Sequence, residues 1–447
     1  MKRKAIFIFT LSFLVYLLYF LEANPGHYSL DVVDGLQADL QFWDLKNFIR
    51  IYQPSFYIVP ASLFYLIAQN LAALGLFQIL LVSAINTYTW LVLAKFSKVK
   101  IAWAVVLLMI FSPLNGCMTL WYHRSSLFGW LVFLNLVLLY KFSKVQRFKN
   151  LERVIFLINL LFISFLRMDG IIVSLSSLFI YTLKSKEQKW IKIAMLAGLI
   201  LMLYSSFEDR DCPTQKALLF IYPVQRIHQS TGVEFTDKDK QVLKRIVLNE
   251  SDRKIWLEGQ GWFDFNLINR DMTQNELDNF AKWSSVFITK NLFHFIKSQA
   301  EVFLGSSLFG GRPNYGFYFY HNNPSKKERN YVEIKTIDIK RYSYIKFPGK
   351  IAEFIYRYAY LDLNNPISIF VFLMLSAFMP FVFVFVYSVI AFKRNRRVLI
   401  PLIPLLLYSI FMFLFQPLPK AYYWYWLVYS YSFIVLGLGY ETISRER

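Results

Sequence analysis

Long apolar runs separated by alternating clusters of Lys and Arg leave this chain few ways to fold. The runs fall at about 5–22, 75–94, 101–119, 125–140, 154–166, 171–183, 190–205, 367–392, 398–415 and 424–440. A bilayer core of about 30 Å takes about 20 helical residues to cross, and shorter spans serve if their ends snorkel. Hydrophobic residues make up 56% of the 447 positions and charged ones 17%, so a water-soluble fold of this length would lack a polar skin. The expected fold class is an all-α polytopic membrane protein with about ten transmembrane helices and a mainly helical extracytoplasmic domain.

Charge sets the expected orientation. One set of loops carries Lys2, Arg3, Lys4; Lys95, Lys98, Lys100; Lys141, Lys144, Arg147, Lys149, Arg153; Lys184, Lys186, Lys189, Lys192; Lys393, Arg394, Arg396, Arg397; and Arg445, Arg447, which is 21 cations. The short loops of the other set hold 5: Lys46, Arg50, Arg124, Arg167 and Lys420. Positive loops stay inside, so both termini are expected in the cytoplasm. The net charge of +20 is thus explained by topology, and no nucleic-acid partner is expected. Ala5 to Leu21 is longer than a signal-peptide core and lacks a small-residue cleavage motif, so it reads as a retained first span. Residues 55–94 are almost continuously apolar. Two spans there would invert every later loop, so 55–70 reads as a helix at the outer interface and 75–94 as the crossing.

Three regions follow: 1–205 as an N-terminal membrane region with an outer loop at 23–54, 206–366 as an extracytoplasmic domain, and 367–447 as C-terminal membrane helices. In the domain, Thr236-Asp237-Lys238-Asp239 and Thr273-Gln274-Asn275-Glu276 are capping-box signatures. The second precedes helical apolar spacing at Leu277, Phe280 and Phe287. The aromatic stretch 313–321 reads either as a membrane-surface contact or as a stacking platform for sugars.

Candidate chemistry gathers on the outer side. In the first loop, Asp31 and Asp34 lie three residues apart, on one face if a helix begins there with Ser29 as its cap. Close like charges raise one carboxyl pKa and suit it to act as a general base. The same pattern also reads as a capping box with solvated acids. Beyond the interfacial Trp121 and Tyr122 come His123 and Arg124, which read as boundary residues or as phosphate ligands, since the Arg fork binds two oxygens at once. Arg167-Met168-Asp169-Gly170 sits between two short runs, so the turn is expected below the membrane surface. Ionisable groups at that depth are usually paired and functional; Arg167 and Asp169 read as each other's partners or as ligands. Lys420 adds a cation on the same face. Glu208-Asp209-Arg210-Asp211 reads as a solvated entry to the domain or as a divalent-ion site, and no His spacing suits a metal.

These features resemble the GT-C superfamily of membrane glycosyltransferases. Within it, they are similar to serotype-converting O-antigen glucosyltransferases and related bacterial multi-span proteins. The matching residues are Pro25-Gly26-His27-Tyr28-Ser29-Leu30-Asp31, Trp121, Arg167-x-Asp169-Gly170, Tyr222-Pro223-Val224-Gln225-Arg226-Ile227 and Lys420-Ala421-Tyr422. The chain departs from the pattern at three places. Gln53-Pro54 stands for His-Pro, Tyr122-His123 follows Trp121 in place of Lys-Asp, and Lys420 with Tyr422 replaces Arg-Tyr. The resemblance implies a bacterial inner-membrane enzyme with an extracytoplasmic active site and an inverting transfer of sugar from a polyprenyl-phosphate donor to a glycan or lipid-linked acceptor such as an O-antigen. It implies Asp31 as the base and Asp34 as its partner or as a metal or substrate ligand. His123, Arg124, Arg167, Asp169 and Lys420 would bind phosphate or substrate. A lipid-linked polysaccharide polymerase or ligase is the alternative enzyme, and a flippase or transporter the non-enzymatic one. A divalent cation is the one cofactor considered.

Overall fold

The computed structural model describes residues 1–23, 27–28, 72–122, 124–167, 169–185, 213–231, 233–246, 272–307, 376–415 and 424–444, with 197, 269, 365–367 and 369–370 besides. Among them the chain is helical apart from one pair of two-residue strands. It is a helical, membrane-embedded protein. Among the described residues four helices are long and apolar enough to cross a bilayer, or five if one bent pair counts as a span. The runs expected at 190–205 and 55–70 lie outside the described residues, apart from position 197.

Two compact units divide the chain. The first comprises Met1–Asp209, Ser307–Ser409 and Ala421–Arg447, and the second Arg210–Ser306 with Ile410–Lys420.

In the first unit, α1 (Lys2–Ala23) buries Ile8, Ser12, Tyr16, Tyr19 and Phe20 and leaves Phe7, Leu14 and Leu18 exposed. The buried spacing follows one face of a 3.6-residue helix. That face meets α2 (Ala72–Phe96), where Asn86 donates to the Ser12 hydroxyl at 3.0 Å and to the Tyr16 hydroxyl at 3.4 Å.

The run expected as one span at 101–119 is broken. Helix α3 (Val99–Phe111) and α4 (Pro113–Thr119) meet at 57°. Pro113 lacks the N–H that would bond the carbonyl four residues back, which belongs to Met109. Two side chains replace that donor: Asn115 Nδ2 at 3.0 Å and the Tyr16 hydroxyl at 3.2 Å. The Met109 carbonyl at the kink is therefore not orphaned, as hydrocarbon surroundings would require.

After a two-residue strand at Trp121–Tyr122 come α5 (Arg124–Val145), α6 (Asn150–Leu166) and α7 (Gly170–Lys184). Later come α12 (Phe378–Arg394), α13 (Leu399–Phe415), which belongs to the second unit from Ile410 on, and a last helix in three parts: α14 (Tyr425–Ser432), a π-helical stretch Phe433–Leu438 and α15 (Gly439–Ile443). The numbers between belong to the second unit. Helix α5 is central, with Trp130, Phe133, Leu136, Leu139 and Tyr140 all fully buried.

One end of this unit collects the basic clusters. Lys144 pairs with Glu441 at 2.5 Å, and Tyr140 donates to the same carboxylate at 3.0 Å. Asn395 bonds the Glu441 carbonyl, Lys98 lies over the Tyr440 ring, and Lys141 pairs with Glu152. Loops that the charge pattern assigns to one side of the membrane thus lie together.

The second unit holds α8 (Pro213–Thr231), α9 (Asp237–Ile246), α10 (Gln274–Lys290) and α11 (Leu292–Ser307). Its core includes Ile221, Val224, Ile227, Phe235, Leu243, Leu277, Phe280 and Phe287. Both expected capping boxes form. Thr273 caps α10 with Glu276 reaching back to the Thr273 N–H at 3.0 Å, and Asp239 does the same for Thr236 at 2.8 Å.

Candidate functional site

Where α5 begins, the unit's polar groups gather again, about 30 Å along the helix from Lys144 at 1.5 Å per residue. Arg167 follows the end of α6, and Asp169 is the residue before α7. The two face each other in a forked ion pair: Nη2 to Oδ2 at 2.7 Å, with Nε 3.0 Å and 3.2 Å from the two carboxylate oxygens. The remaining edge donates from Nη1 to Ser125 on α5 at 2.9 Å. The guanidinium also lies over the Phe128 ring, 5.4 Å from its centre, a cation–π contact. Tyr408 on α13 donates to Asp169 Oδ2 at 2.8 Å, and its ring packs on Phe128 and Trp426.

The turn is tight. A Cβ on Gly170 would lie 2.3 Å from the Ile163 carbonyl oxygen and 2.8 Å from the Phe128 ring, so only glycine lets α7 start this close to α6. Arg167 is 7% exposed and Tyr408 fully buried. The pair is internally compensated, which is how charge persists where water is scarce.

A strand pair ties the chain after α1 to the segment before α5. β1 (His27–Tyr28) runs parallel to β2 (Trp121–Tyr122), with His27 opposite Trp121 and Tyr28 opposite Tyr122. Trp121 is four residues from Ser125, and Tyr28 three from Asp31. His27–Tyr28 thus lie beside Trp121–Tyr122, four residues before the Ser125 that holds Arg167.

Next to them, Ser126 donates to the Met118 carbonyl and lies 3.0 Å from the Tyr429 hydroxyl. Trp130 stacks on Tyr429 at 4.3 Å and donates to Thr119. With Gln78, Leu81, Val82 and Leu127, residues Thr119, Ser126 and Trp130 line a crevice too narrow for a water molecule.

Of the residues expected from sequence, Arg167 and Asp169 come together with each other, and Arg124 opens α5 one residue before Ser125. Asp31, Asp34, His123 and Lys420 lie outside the described residues, as do 208–211 and the aromatic stretch 313–321. Among the described residues no group of three His, Cys, Asp or Glu is placed to hold a metal ion. Sequence reasoning missed Ser125, Phe128 and Tyr408. A signal for Tyr408 existed: it and Ser409 carry the hydroxyls of the apolar run 398–415, and polar side chains in such runs tend to bond across helices. No family model, no curated protein and no solved structure matches the chain. Fold and site together define a helical membrane protein with a buried, paired ionic cluster of Arg167, Asp169, Ser125 and Tyr408.

Proposed function

We propose that this protein is an inverting glycosyltransferase that moves a sugar from a polyprenyl-phosphate donor to a glycan acceptor outside the cytoplasm. The observation that carries this reading is the β1–β2 register. It sets the segment leading to Asp31 beside the segment leading to Arg124, at the end opposite the Lys144–Glu441 cluster. In the reaction, Asp31 takes the proton of the acceptor hydroxyl. The acceptor oxygen forms a bond to the anomeric carbon while the bond from that carbon to the phosphate oxygen breaks. The lipid phosphate leaves with the electron pair. Asp34 supports Asp31.

Arg167 takes a different part from the other cations. Its guanidinium is held by Asp169 and Ser125, so it braces the α6–α7 turn, and Arg124, His123 and Lys420 are the groups assigned to the leaving phosphate. Fixed charge of this kind is often the largest catalytic contribution. The basic loops support both termini in the cytoplasm, and the inner membrane rests on the resemblance.

The test is transfer activity in membranes supplied with a lipid-linked sugar and an acceptor glycan. Asp31→Asn is expected to abolish transfer with the protein still present in the membrane, whereas Lys244→Gln on the second unit leaves it intact. Full activity in Asp31→Asn removes that residue from the mechanism. Cysteine labelling that reaches position 31 only from the cytosol overturns the reading as a whole.

A further inference from the structure

Helix α11 carries both buried and exposed apolar groups. Phe295, Val302 and Phe303 are buried, with Ser298 and Gln299 between them, yet Leu292, Phe293 and Ile296 in its first turns are 52%, 76% and 46% exposed. Val286, on α10 just before the turn, adds another exposed apolar group at 52%. An exposed group of large apolar side chains like this marks a surface that meets a second apolar environment.

Two observations say which one. First, the buried face of α11 docks on the end of a candidate span. Gln299 donates to the Leu414 carbonyl at 3.0 Å, and the Phe303 and Phe413 rings meet edge to face at 6.0 Å. Both partners lie in the last turn of α13, which with Arg396–Val398 forms the most hydrophobic of the candidate spans. Gln299 is in turn held by Arg226 on α8 at 3.1 Å, so α11 has a fixed seat beside the point where that span ends. Phe293 lies six residues before Gln299, about 9 Å along the axis. Second, the apolar group is bordered by cations. Lys282 and Lys290 on α10 and Lys297 on α11 are exposed around it, and Glu301, one turn beyond Lys297, is the acid on the same face.

We propose that the α10–α11 corner is a membrane-interface anchor. Leu292, Phe293, Ile296 and Val286 enter the boundary between headgroups and acyl chains, and Lys290 and Lys297 bind the phosphates of anionic lipids. An amphipathic helix of this type lies in the interface plane with its apolar side sunk about 5–10 Å, and anionic lipid strengthens the hold. The anchor would keep the second unit at the surface whatever its sugar chemistry.

The experiment uses the full chain in lipid nanodiscs, on a Cys212→Ser background where the remaining Cys117 is buried. A spin label is placed at Phe293→Cys or, as a second position, Ile296→Cys, with Lys244→Cys as the water-facing reference. The labels at 293 and 296 are expected to collide with oxygen in preference to a water-soluble nickel complex, by a ratio several-fold above that at 244. Immersion should deepen when phosphatidylglycerol replaces part of the phosphatidylcholine, and Lys290→Gln with Lys297→Gln should remove that deepening. Nickel access at 293 and 296 equal to that at 244 overturns the proposal. So does shielding from both reagents with label-to-label coupling, which would mean a second copy covers the face. Equal immersion in both lipids overturns the assignment of the lysines.

Discussion

Helix α5 carries two ionic locks, one near each end, built from the same three kinds of group. At its start, Asp169 accepts from Arg167 and Tyr408, and Ser125 of α5 holds the Arg. At its close, Glu441 accepts from Lys144 and Tyr140, both on α5 itself. Each is a carboxylate with a cation and a tyrosine, yet they differ in kind. Arg167 presents a planar fork to a neighbour two residues away and uses its other edge on Ser125. Lys144 is a single charge that reaches a partner 297 residues along the chain. The Arg side chain is 9% exposed and the Lys side chain 20%. The difference lies in the cations, since the Arg head is sealed and the Lys head keeps a route to water, whereas Asp169 at 16% is more exposed than Glu441 at 9%. Sealing makes a charge dependent on its partner, since a lone buried ion has nowhere to go, whereas a lysine stem can lift its head to the surface.

Arg167→Met is therefore expected to have the largest effect. It strands Asp169 and should cost about 3–5 kcal/mol, the usual result of halving a buried pair. Thermal unfolding of the purified protein in detergent measures it. The double change Arg167→Met with Asp169→Leu should recover most of the loss. If single and double variants unfold alike, the pair is not what holds the turn. Arg167→Lys should fall between them, because an ammonium cannot engage both oxygens and Ser125 at once.

Backbone approach separates the two ends again. Gly170→Ala drives a methyl into the Ile163 carbonyl and the Phe128 ring, and forced overpacking typically costs about 1–3 kcal/mol. At the other end, a Cβ on Gly439 would meet the Tyr387 hydroxyl at 2.5 Å. That atom is the tip of a side chain bonded to the Val435 carbonyl, so it can swing aside, and Gly439→Ala should lower the melting temperature less. The reverse order would show that the α6–α7 turn has slack the packing does not reveal.

Glu441→Gln should cost less still, about 1 kcal/mol, because the amide keeps the Tyr140 contact and Lys144 can move outward. A loss matching that of Arg167→Met would erase the distinction between sealed and open locks.

The same locality explains what could be read in the sequence. Arg167 and Asp169 are close along the chain between two short apolar runs, so their pairing was among the expected readings. The capping boxes at Thr236 and Thr273 are legible for the same reason: four residues contain the whole motif. Tyr408, Ser125 and Glu441 contribute only through contacts 42 to 301 residues long, which no local spacing encodes. The break at Pro113 had a local sign, the proline, but its repair by Tyr16 and Asn115 did not. Charge alternation grouped the loops around Lys98, Lys141, Asn395 and Glu441, which do lie together, yet treated Lys144 as merely one of a cluster, because a positive loop and half of an ion pair look alike until the partner is in place.

Carrying the comparison into water gives the smallest expected effect. In the second unit, partial burial pushes the Asp239 carboxyl up, but hydrogen bonds from the Trp283 indole at 2.7 Å and from the Thr236 hydroxyl and N–H outweigh it, and its pKa lies below the ordinary value. The Thr273 N–H and hydroxyl likewise lower that of Glu276. A carboxyl whose folded pKa is depressed binds fewer protons folded than unfolded, so its contribution is complete above the ordinary value near 4 and disappears as the pH falls through the folded one. Hydrogen exchange of the α9 and α10 amides in the full chain, corrected for intrinsic rates, should show protection steady from neutral pH to about 5 and declining below about 4. Asp239→Asn should flatten part of that decline in α9, where Trp283 joins the two helices, and leave the Glu276 part in α10. A decline that persists in α9 after Asp239→Asn would place the acid sensitivity elsewhere. An exposed carboxylate would then matter only as a cap, and the strict dependence on a partner seen at Asp169 would belong to burial alone.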